Sequence, residues 1–434
     1  FDSNRNKIVI VSRISTNAQA MVGTVSGTDI SFASSVGIGT QTKFLALTFD
    51  SSNNKVITAF VDGSVSDQGK VIVGDIDGSG VISFGTAVEY NANIDEQQGV
   101  AFDSNTNKVI IAYDSAGTSK GQVISGTVSG TSISFDSETV FEAANVEGVS
   151  VAFDSNANKS VISYIDAGNS NYGTSVVYAP ESTNITSENY IGMSRGVAVQ
   201  TGSAASTGAE TVFEAAASPY INSVYDANAQ KVVIVYNDSG DSGKGKGIVG
   251  TVSGTAISFG SPTSFHTGAD DMKIAYDSVS QKVVIAFRDS NQPIPCRAVV
   301  GTVSGTNISF GSPVNFNGGT NNAIRISCAY DSTANRTVIF YRDQSNSAYD
   351  TAIVGTVSGT TISFGTKTVV TSQVNNSRAI AHDPNAGTNV LAVSTNYNFK
   401  VGTVDPSDDS ITFSGATTFE GAAARYISAL YDST

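Results

Sequence analysis

Six aspartates are the first candidates for chemistry, because each stands at the end of an apolar run and the runs recur along the chain. They are Asp62, Asp114, Asp166, Asp238, Asp289 and Asp343. A ring of such carboxylates could bind cations, since oxygen ligands suit hard metal ions. The alternative is that each carboxylate caps its own loop by accepting backbone N–H bonds. Repetition at one position favours this alternative.

Three other side chains complete the predicted ligand-binding set. Tyr172 and Tyr349 stand in loops that follow two of the aspartates, where asparagine is also abundant. Aromatic faces and amide groups can recognise a sugar, and the chain has no Trp that would do so. His266 lies in another loop. No metal or cofactor is expected at any of the nine positions.

The sequence offers little for catalysis. Its two histidines, His266 and His382, belong to no recognisable Ser-His-Asp or Cys-His arrangement, and no cluster has metal-ligand spacing. Residues 75–80 (DIDGSG) resemble the start of a calcium loop but lack its distal Glu, so they are interpreted as a turn. The prediction is that the chain is not an enzyme. A glycosidase would need only two paired carboxylates, so a polysaccharide-active enzyme stays as an alternative.

Internal repeats determine which elements position these residues. VGTVSGTNISF at 300–310 recurs almost unchanged from residues 22, 249 and 354, and more loosely from 73, 125 and 401. An aromatic residue followed by Asp marks the same period, beginning with Phe1-Asp2 and ending with Tyr431-Asp432. The marks enclose eight intervals of about fifty residues, of which the fourth is longer by about twenty.

Each interval holds four strand signals, which we name A, B, C and D. Strand B is continuously apolar, as in KVVIAF at 282–287, so both of its faces must be buried. The glycine between strands C and D, such as Gly305, supplies the positive φ of a tight hairpin. Four antiparallel strands per unit, covered on both faces by neighbours, are typical of β-propeller blades. The box SxDxGxxW that sialidase propellers repeat is absent.

The two chain ends predict a closed ring. The chain begins and ends at the same A–B turn, so residues near Arg425–Asp432 can supply strand A to the blade made by residues 8–36. The expected fold is all-β, with residues 1–434 forming a single eight-bladed β-propeller of four-stranded antiparallel blades. Residues 181–206 form an insert in the fourth blade. An open arc is the alternative, and the chain is expected to be a processed product or an excerpt of a longer one.

Charge and loop pattern narrow the function. The formal net charge of −14 disfavours nucleic acid and anionic membrane surfaces, and no apolar run is long enough to insert into a membrane. Cys296 and Cys328 are expected to be unpaired, with Cys328 buried.

The A–B and C–D turns barely change, whereas the B–C and D–A loops vary from blade to blade. A binding site is therefore expected on the B–C/D–A face, unless these loops have simply drifted.

The repeats (F/Y)DSxxNKVVIAYxD and VGTVSGTxISFGxPxxF, with the insert TNITSENYIG, resemble proteins of marine tailed phages, often tail-fibre-like or other virion proteins. The resemblance covers essentially the whole chain and brings no binding residues. It implies a non-enzymatic component of a virion, or of an extracellular or cell surface. Its partners would be a host cell-surface glycan or other virion or surface proteins. A binding role through the variable loop face is the first hypothesis, and a purely structural role is the second.

Overall fold

The protein was analysed as a computed structural model, which describes residues 7–14, 16–26, 29–95, 98–186, 199–291, 295–318, 323–372, 378–383, 389–394, 398–415, 417–418 and 424–429. These residues form β-strands joined by turns, with two single turns of 3₁₀ helix, η1 (Ala167–Asn169) and η2 (Ser239–Asp241). The predicted all-β class is confirmed. In the part of the chain that is described, no helix is long and apolar enough to span a membrane.

The strands fall into five-stranded antiparallel sheets in chain order. Sheet 1 contains β1 (Lys7–Ile14), β2 (Asn17–Ser26), β3 (Asp29–Phe32) and β4 (Val36–Gly39). Sheet 2 contains β5 (Thr42–Asp50), β6 (Lys55–Asp62), β7 (Gln68–Ile76), β8 (Ile82–Phe84) and β9 (Val88–Asn91). Sheet 3 contains β10 (Gln98–Asp103), β11 (Lys108–Ser115), β12 (Lys120–Ser129), β13 (Ser132–Phe135) and β14 (Thr139–Glu142).

The fourth repeat carries the insert. Sheet 4 contains β15 (Val146–Asp154), β16 (Lys159–Asp166), β17 (Tyr172–Ala179), β20 (Ser206–Thr207) and β21 (Thr211–Ala217). Between β17 and β20, the strands β18 (Ser182–Thr186) and β19 (Val199–Ser203) pair as a separate two-stranded sheet. The hairpin therefore stands where other sheets have the C–D turn. The SENYIG segment, residues 187–192, lies outside the described residues.

The remaining sheets repeat the pattern. Sheet 5 contains β22 (Asn222–Asp226), β23 (Lys231–Asp238), β24 (Lys244–Ser253), β25 (Ala256–Phe259) and β26 (Thr263–His266). Sheet 6 contains β27 (Ala269–Asp277), β28 (Lys282–Asp289), β29 (Cys296–Ser304), β30 (Asn307–Phe310) and β31 (Val314–Asn315). Sheet 7 contains β32 (Ala323–Asp331), β33 (Arg336–Asp343), β34 (Tyr349–Ser358), β35 (Thr361–Phe364) and β36 (Thr368–Thr371). Sheet 8 contains β37 (Arg378–Asp383), β38 (Asn389–Ser394), β39 (Asn398–Asp405), β40 (Ser410–Phe413) and β41 (Thr417–Thr418). The last strand is β42 (Ala424–Ala429).

Neighbouring sheets touch through their A strands. β5 contacts β10, β10 contacts β15, and the series continues through β22, β27, β32 and β37 to β42. β42 in turn pairs with β1, so that it is the fifth strand of sheet 1, and it also contacts β5. Repeated four-stranded or five-stranded antiparallel sheets that pack face to face in this way are consistent with a β-propeller.

Sequence pattern and burial agree within each sheet. The B strand of sheet 6 has Val283 through Phe287 fully buried, as its continuous apolar run predicts, and β30 alternates between buried and exposed side chains. Gly305, at the C–D turn, has φ of 61°, which confirms the predicted left-handed conformation. In the A–B turn of the same sheet, Asp277 accepts the backbone N–H bonds of Val279 and Ser280, as the turn chemistry predicts.

Neither Cys296 nor Cys328 forms a disulfide. Their burial differs from the prediction, because Cys296 at the start of β29 is fully buried whereas Cys328 is only half-buried. Residues 75–80 form a turn: the Asp77 carboxylate accepts the N–H bonds of Ser79 and Val81, and Asp75 pairs with Lys55 at 2.9 Å. Residues 75–80, which resemble the start of a calcium loop in sequence, thus belong to a hairpin turn.

An aromatic contact joins one sheet to the next. A ring from the outer strand of one sheet packs on the ring near the end of strand B in the following sheet, with centroids 5.0–5.2 Å apart. The five pairs are Tyr90–Tyr113, Phe141–Tyr164, Phe213–Tyr236, Phe265–Phe287 and Phe316–Tyr341. A glycine on strand C leaves room for the outer ring: a Cβ at Gly245 would lie 2.5 Å from the Phe265 ring.

A second glycine explains why the C–D turn hardly varies between repeats. A Cβ on Gly260, which follows strand D of sheet 5, would overlap the carbonyl oxygen of Thr306 in the C–D turn of sheet 6. The same overlap recurs at Gly311, where the carbonyl belongs to Thr360. The SGT turn and the glycine after ISF are therefore two halves of one contact between sheets.

This contact predicts a strong effect of Gly260→Ala. The added methyl group must push the Thr306 carbonyl away, and such overpacking costs about 1–3 kcal/mol of unfolding free energy. Gly78→Ala is the control, since a Cβ there meets nothing within 4 Å. Urea unfolding of both variants measures the difference. Equal stability of the two variants would show that the sheets do not need this close approach.

Candidate functional site

Five of the six predicted aspartates engage their own loops. The Asp62 and Asp343 carboxylates accept the N–H bonds of Ser64 and Ser345, both at 3.0 Å. The other three accept loop amides at 2.9–3.1 Å, as follows: Asp166 from Asn169, Asp238 from Gly240 and Asp241, and Asp289 from Asn291. Each is thus held as a loop cap. As ligand-binding residues, they stay predictions.

Four of these capping aspartates also form an ion pair with a positively charged side chain of the same sheet. Three are paired with a residue of strand C, namely Asp62 with Lys70 at 2.6 Å, Asp238 with Lys246, and Asp289 with Arg297 at 2.9 Å. In sheet 7, Asp343 instead pairs with Lys367, which precedes the outer strand, at 2.8 Å. The capping carboxylates are therefore largely neutralised inside the scaffold.

Asp114 occupies a different position. Counted from the first residue of its B strand, Asp62 is the eighth residue, whereas Asp114 is the seventh and Ser115 the eighth. Successive side chains of a strand point to opposite sides, so a shift by one residue turns the carboxylate away from its loop. Counting from the first strand residue, rather than from the end of the apolar run, would have separated Asp114 from the others.

The seventh position of strand B holds five different residue types in the seven sheets for which it is described. Its occupants from sheet 1 to sheet 7 are Arg13, Val61, Asp114, Ile165, Asn237, Arg288 and Arg342. We call these residues the mouth ring. The eighth position repeats Asp in five sheets, whereas the mouth ring repeats nothing beyond arginine. Non-repeating chemistry on a repeating scaffold is typical of a binding surface.

β-Bulges in the A strands lie beside the mouth ring. Besides the register shift of β42 against β1 in sheet 1, strand A is bulged in four sheets, between Lys43 and Ala46, Glu147 and Ser150, Asp270 and Lys273, and Ile324 and Ser327. Each bulge contains a left-handed residue, namely Phe44, Gly148, Asp271 or Arg325, with φ of 44–59°. Positive φ is rare for a bulky residue such as Phe44. Bulges redirect side chains, and they are frequent near functional sites.

A cavity of about 680 Å³ opens where the mouth ring and the bulges meet. Its charged lining consists of four carboxylates and one ammonium group, from Asp95, Asp114, Glu147, Asp271 and Lys273. The amides of Asn145 and Asn222 and the apolar side chains of Ile165 and Met272 complete much of the wall. Asp114 and Ile165 come from the ends of B strands, and the other residues come from the D–A loops and the beginnings of the A strands, on the face that the loop pattern predicts.

Tyr220 gives the cavity an aromatic wall. Its side chain is 48% exposed, although it lies in the lining, and its backbone is left-handed with φ of 61°. An exposed aromatic ring beside convergent polar groups can stack on a sugar ring. The sequence pattern did not single out Tyr220, because this tyrosine precedes strand A, whereas the predicted Tyr172 and Tyr349 follow strand B.

Asp271 links the cavity wall to the next sheet. Its Oδ2 atom accepts the backbone N–H of Arg325 at 2.5 Å and that of Ile326 at 3.4 Å. The left-handed bulge of β27 is therefore tied to the left-handed bulge of β32. The beginnings of these two A strands are held together, and the wall of the cavity is positioned before any ligand arrives.

Asp114 is the least satisfied group of the cavity. Its side chain is only 4% exposed, and its Oδ1 atom has no hydrogen-bond partner. Burial raises the pKa of Asp114 to about 6; the nearby charge of Asp95 also raises it, the backbone N–H of Val146 lowers it, and Glu147 raises it. A buried carboxylate without a complete set of donors costs free energy when ionised. A ligand that donates a hydrogen bond would remove that cost.

A smaller cavity of about 320 Å³ shares Asp95 with the first. Its lining includes Arg13 and Val61 of the mouth ring and Phe44 of the β5 bulge. Lys43, which pairs with Asp67 at 2.7 Å, lies in its wall. The two cavities together present an acidic compartment and a more basic one on either side of Asp95.

The other predicted residues lie outside the linings of these two cavities. Tyr172 and Tyr349 begin strand C of their sheets and are half-buried. His266 is held within sheet 6 and its neighbour, with its Nε2 atom 3.2 Å from Asp289 and its ring 5.2 Å from that of Phe287. His382 is buried beside Ser332 at 3.2 Å. None of these positions is tested as a binding residue by the geometry.

Three carboxylates form the group that could hold a metal ion among the described residues. Glu142, Asp166 and Glu210 each place one oxygen atom within 4.8 Å of the others. Desolvation and the charges of Glu142 and Asp166 raise the pKa of Glu210 above its ordinary range. Glu210 occupies the position that Lys367 holds in sheet 7, where the lysine neutralises the capping aspartate. Sheet 4 therefore has a carboxylate where sheet 7 has an ammonium group.

Comparisons with known proteins identify the fold but no family. No protein-family model matches the chain, and no curated protein matches it. The BP39L lectin from Burkholderia pseudomallei is similar in structure, with a TM-score of 0.56 and 11% identity over 87% of this chain and 98% of that one. A putative 6-phosphogluconolactonase from Bacteroides uniformis has a TM-score of 0.51 and 10% identity, covering 98% of this chain and all of that one.

A second enzyme has the same architecture. The dihydro-heme d1 dehydrogenase NirN is similar over 99% of this chain and 76% of that one, with a TM-score of 0.55 and 10% identity. The sequence-based conclusion that the chain is not an enzyme is therefore wrong. Chains of this fold include enzymes, so the lack of a recognisable catalytic motif does not exclude activity.

The pKa of Asp114 predicts how stability responds to pH. Because the folded-state pKa of about 6 lies above the ordinary value of 3.8, the ionised carboxylate destabilises the fold above pH 6, and this cost vanishes below pH 4. Asp114→Asn should therefore raise the unfolding free energy at pH 8 by up to about 3 kcal/mol and leave it unchanged at pH 4. Urea unfolding at the two pH values measures this. Asp238→Asn is the matched control and should destabilise at pH 8, because it weakens the contact with Lys246. Destabilisation of both variants at pH 8 would show that the ionised Asp114 carboxylate does not destabilise the fold.

The acidic group of sheet 4 predicts a stabilising charge reversal. Glu210→Lys recreates the arrangement of Lys367 and Asp343, so the free energy of unfolding should rise by about 1 kcal/mol at neutral pH. The reciprocal change Lys367→Glu should destabilise by about 2 kcal/mol, because it leaves the fully buried Asp343 facing a like charge. Thermal unfolding of both variants tests the pair. A destabilised Glu210→Lys variant would show that the two sheets are not equivalent here.

Proposed function

We propose that the protein binds an oligosaccharide in the cavity at the mouth ring. One observation carries the proposal: on a scaffold that otherwise repeats, a cavity of about 680 Å³ combines a half-exposed tyrosine with carboxylates and amides that do not repeat. Saccharides present apolar ring faces and many hydroxyl donors, so they suit an aromatic wall beside acceptors. The similarity to the BP39L lectin supports a binding role.

The dimensions favour a ligand longer than one sugar unit. Pockets for small ligands usually measure about 300–1,000 Å³, and each of the two cavities falls in that range. Because Asp95 lines both, a chain of sugar units could occupy them together. The bulge residues Phe44 and Asp271 lie in the two walls and are already positioned by their backbone conformation. Such preorganisation reduces the entropic cost of binding.

The scaffold that we propose is a closed ring of eight blades. The pairing of β42 with β1 and its contact with β5 support this, since the last strand then joins both neighbours of the first sheet. A closed ring protects the edges of the sheets and holds the mouth ring around a central channel. Residues 430–432, which the sequence analysis assigned to the closing strand, lie outside the described part.

We also propose that the protein is displayed on a virion or an extracellular surface, and that its partner is a host cell-surface glycan. The repeats and the insert that resemble those of tail-fibre-like proteins support this, and so does the negative net charge, which disfavours nucleic acid. A purely structural role in a virion or surface layer is the alternative. It would leave the mouth ring without a ligand.

Asp114 favours glycoside cleavage as a second candidate function. A general acid needs a raised pKa and a second carboxylate nearby, and Asp114 has both, with Asp95 and Glu147 close by. Reaction products distinguish this candidate from binding alone. Mass spectrometry of oligosaccharides incubated with the protein would reveal shortened chains, and Asp114→Asn should prevent their formation.

The test of the proposed function is an array of neutral, amino and acidic oligosaccharides, followed by calorimetry with those that bind. Tyr220→Ala should weaken binding about tenfold, because it removes about 1.4 kcal/mol of stacking. Tyr220→Phe is the matched control, because it keeps the aromatic ring, and it should bind like the original protein. Binding to no oligosaccharide, or equal binding by the Tyr220→Ala variant, would refute the proposal.

A further inference from the structure

At two other positions of the mouth ring, the polar side chain forms its hydrogen bonds with groups of the protein itself. In sheet 6, Arg288 donates two hydrogen bonds at 2.5 Å to the Asp270 carboxylate. In sheet 5, Asn237 donates to the carbonyl oxygens of Gly243 and Ala269 at 3.0 and 2.8 Å. At these two positions the protein itself supplies the partner that the side chain requires.

Asp114 has no comparable partner among the described residues. Its one favourable interaction is with the backbone N–H of Val146, while its charged neighbours Asp95 and Glu147 are themselves acidic. One oxygen of its buried carboxylate stays without a hydrogen bond. Rotation about the Cβ–Cγ bond exchanges the two oxygens readily, so a donor inside the cavity can be accommodated.

The carboxylates of the cavity are too dispersed to hold a metal ion. Among the described residues, the three carboxylates whose oxygens lie within 4.8 Å of one another are Glu142, Asp166 and Glu210. None of these three residues lines the cavity. A small ion requires its ligands at roughly 2–2.6 Å from one point. Several carboxylates spread around 680 Å³ suit an organic cation, which can offer a charged N–H donor to each of them.

From this arrangement we infer that the oligosaccharide carries free, protonated amino groups, and that Asp114 binds one of them with help from Glu147. The inference rests on the proposed function and names the class of saccharide: an amino sugar without N-acetyl groups. Four carboxylates outnumber the ammonium group of Lys273 in the lining, so a polycationic chain is favoured over a neutral one. Tyr220 contacts the face of one sugar ring.

The deciding experiment compares two probes with the same sugar backbone: the tetramer of glucosamine, whose amino groups are free, and the tetramer of N-acetylglucosamine, whose amino groups are acetylated and uncharged. At pH 7 and low salt, calorimetry should show that the glucosamine tetramer binds at least tenfold more tightly. Asp114→Asn should weaken binding of the glucosamine tetramer about tenfold and change that of the acetylated tetramer less than twofold. Asp75→Asn, which alters a carboxylate that pairs with Lys55 and lies outside the cavity lining, should leave both affinities unchanged.

The outcomes separate the inference from the proposed function. Equal or tighter binding of the acetylated tetramer would overturn the inference while saccharide binding stands. Unchanged binding of the glucosamine tetramer by the Asp114→Asn variant would also overturn it, and circular dichroism verifies that this variant is folded. If no oligosaccharide binds, both fail. If tetralysine binds more tightly than the glucosamine tetramer, the ligand is a basic peptide and not an amino sugar, and the inference is refuted.

Discussion

The packing of an aromatic ring from one sheet on a ring of the next is the interaction on which the rest of this structure depends. It recurs five times among the described residues, with almost the same centroid distance each time. In four of the five pairs strand C carries a glycine beneath the outer ring, as Gly245 does beneath Phe265, and this glycine leaves room for the ring to approach. Fixing this distance fixes how each sheet stands against its neighbour, and therefore where every mouth-ring residue lies.

A rigid, repeating scaffold allows a few positions to vary without loss of stability. The apolar B strands and the contacts between sheets contribute most of the buried surface, whereas the seventh residue of strand B lies at the margin of that core. Arginine, valine, aspartate, isoleucine and asparagine are all tolerated there. The function that we propose uses this freedom, since the residues of this position that line the two cavities all differ in type.

Local energetic defects coincide with the site. The left-handed backbone of Phe44, Asp271 and Arg325 costs free energy, and so does the unpartnered oxygen of Asp114. Natural sequences usually avoid such features and retain them where they serve a function. By contrast, the capping aspartates of the eighth position are satisfied by loop amides and, in four sheets, by a cation. The eighth residue of strand B therefore stabilises the scaffold, whereas the seventh residue belongs to the proposed site.

Much of the architecture was available from the amino-acid sequence alone. The period of about fifty residues, the continuously apolar B strands and the glycine of the C–D turn predicted four-stranded antiparallel units, because these patterns depend on local geometry that each repeat carries by itself. The loop face of the candidate cavity followed from the same periodicity. The patterns could not reveal the cavity's chemistry, since it depends on contacts between different repeats.

Two residues illustrate the limit. Asp114 looked like the other aspartates at the end of its apolar run; its position in the strand separates it from them, but its place in the cavity wall depends on residues from other sheets. Tyr220 belongs to no repeated motif and becomes part of a wall because A strands from several sheets converge beside it. Side chains far apart in sequence meet at the mouth ring through the packing of whole sheets. That packing is a property of the tertiary structure, and a pattern within one repeat cannot encode it.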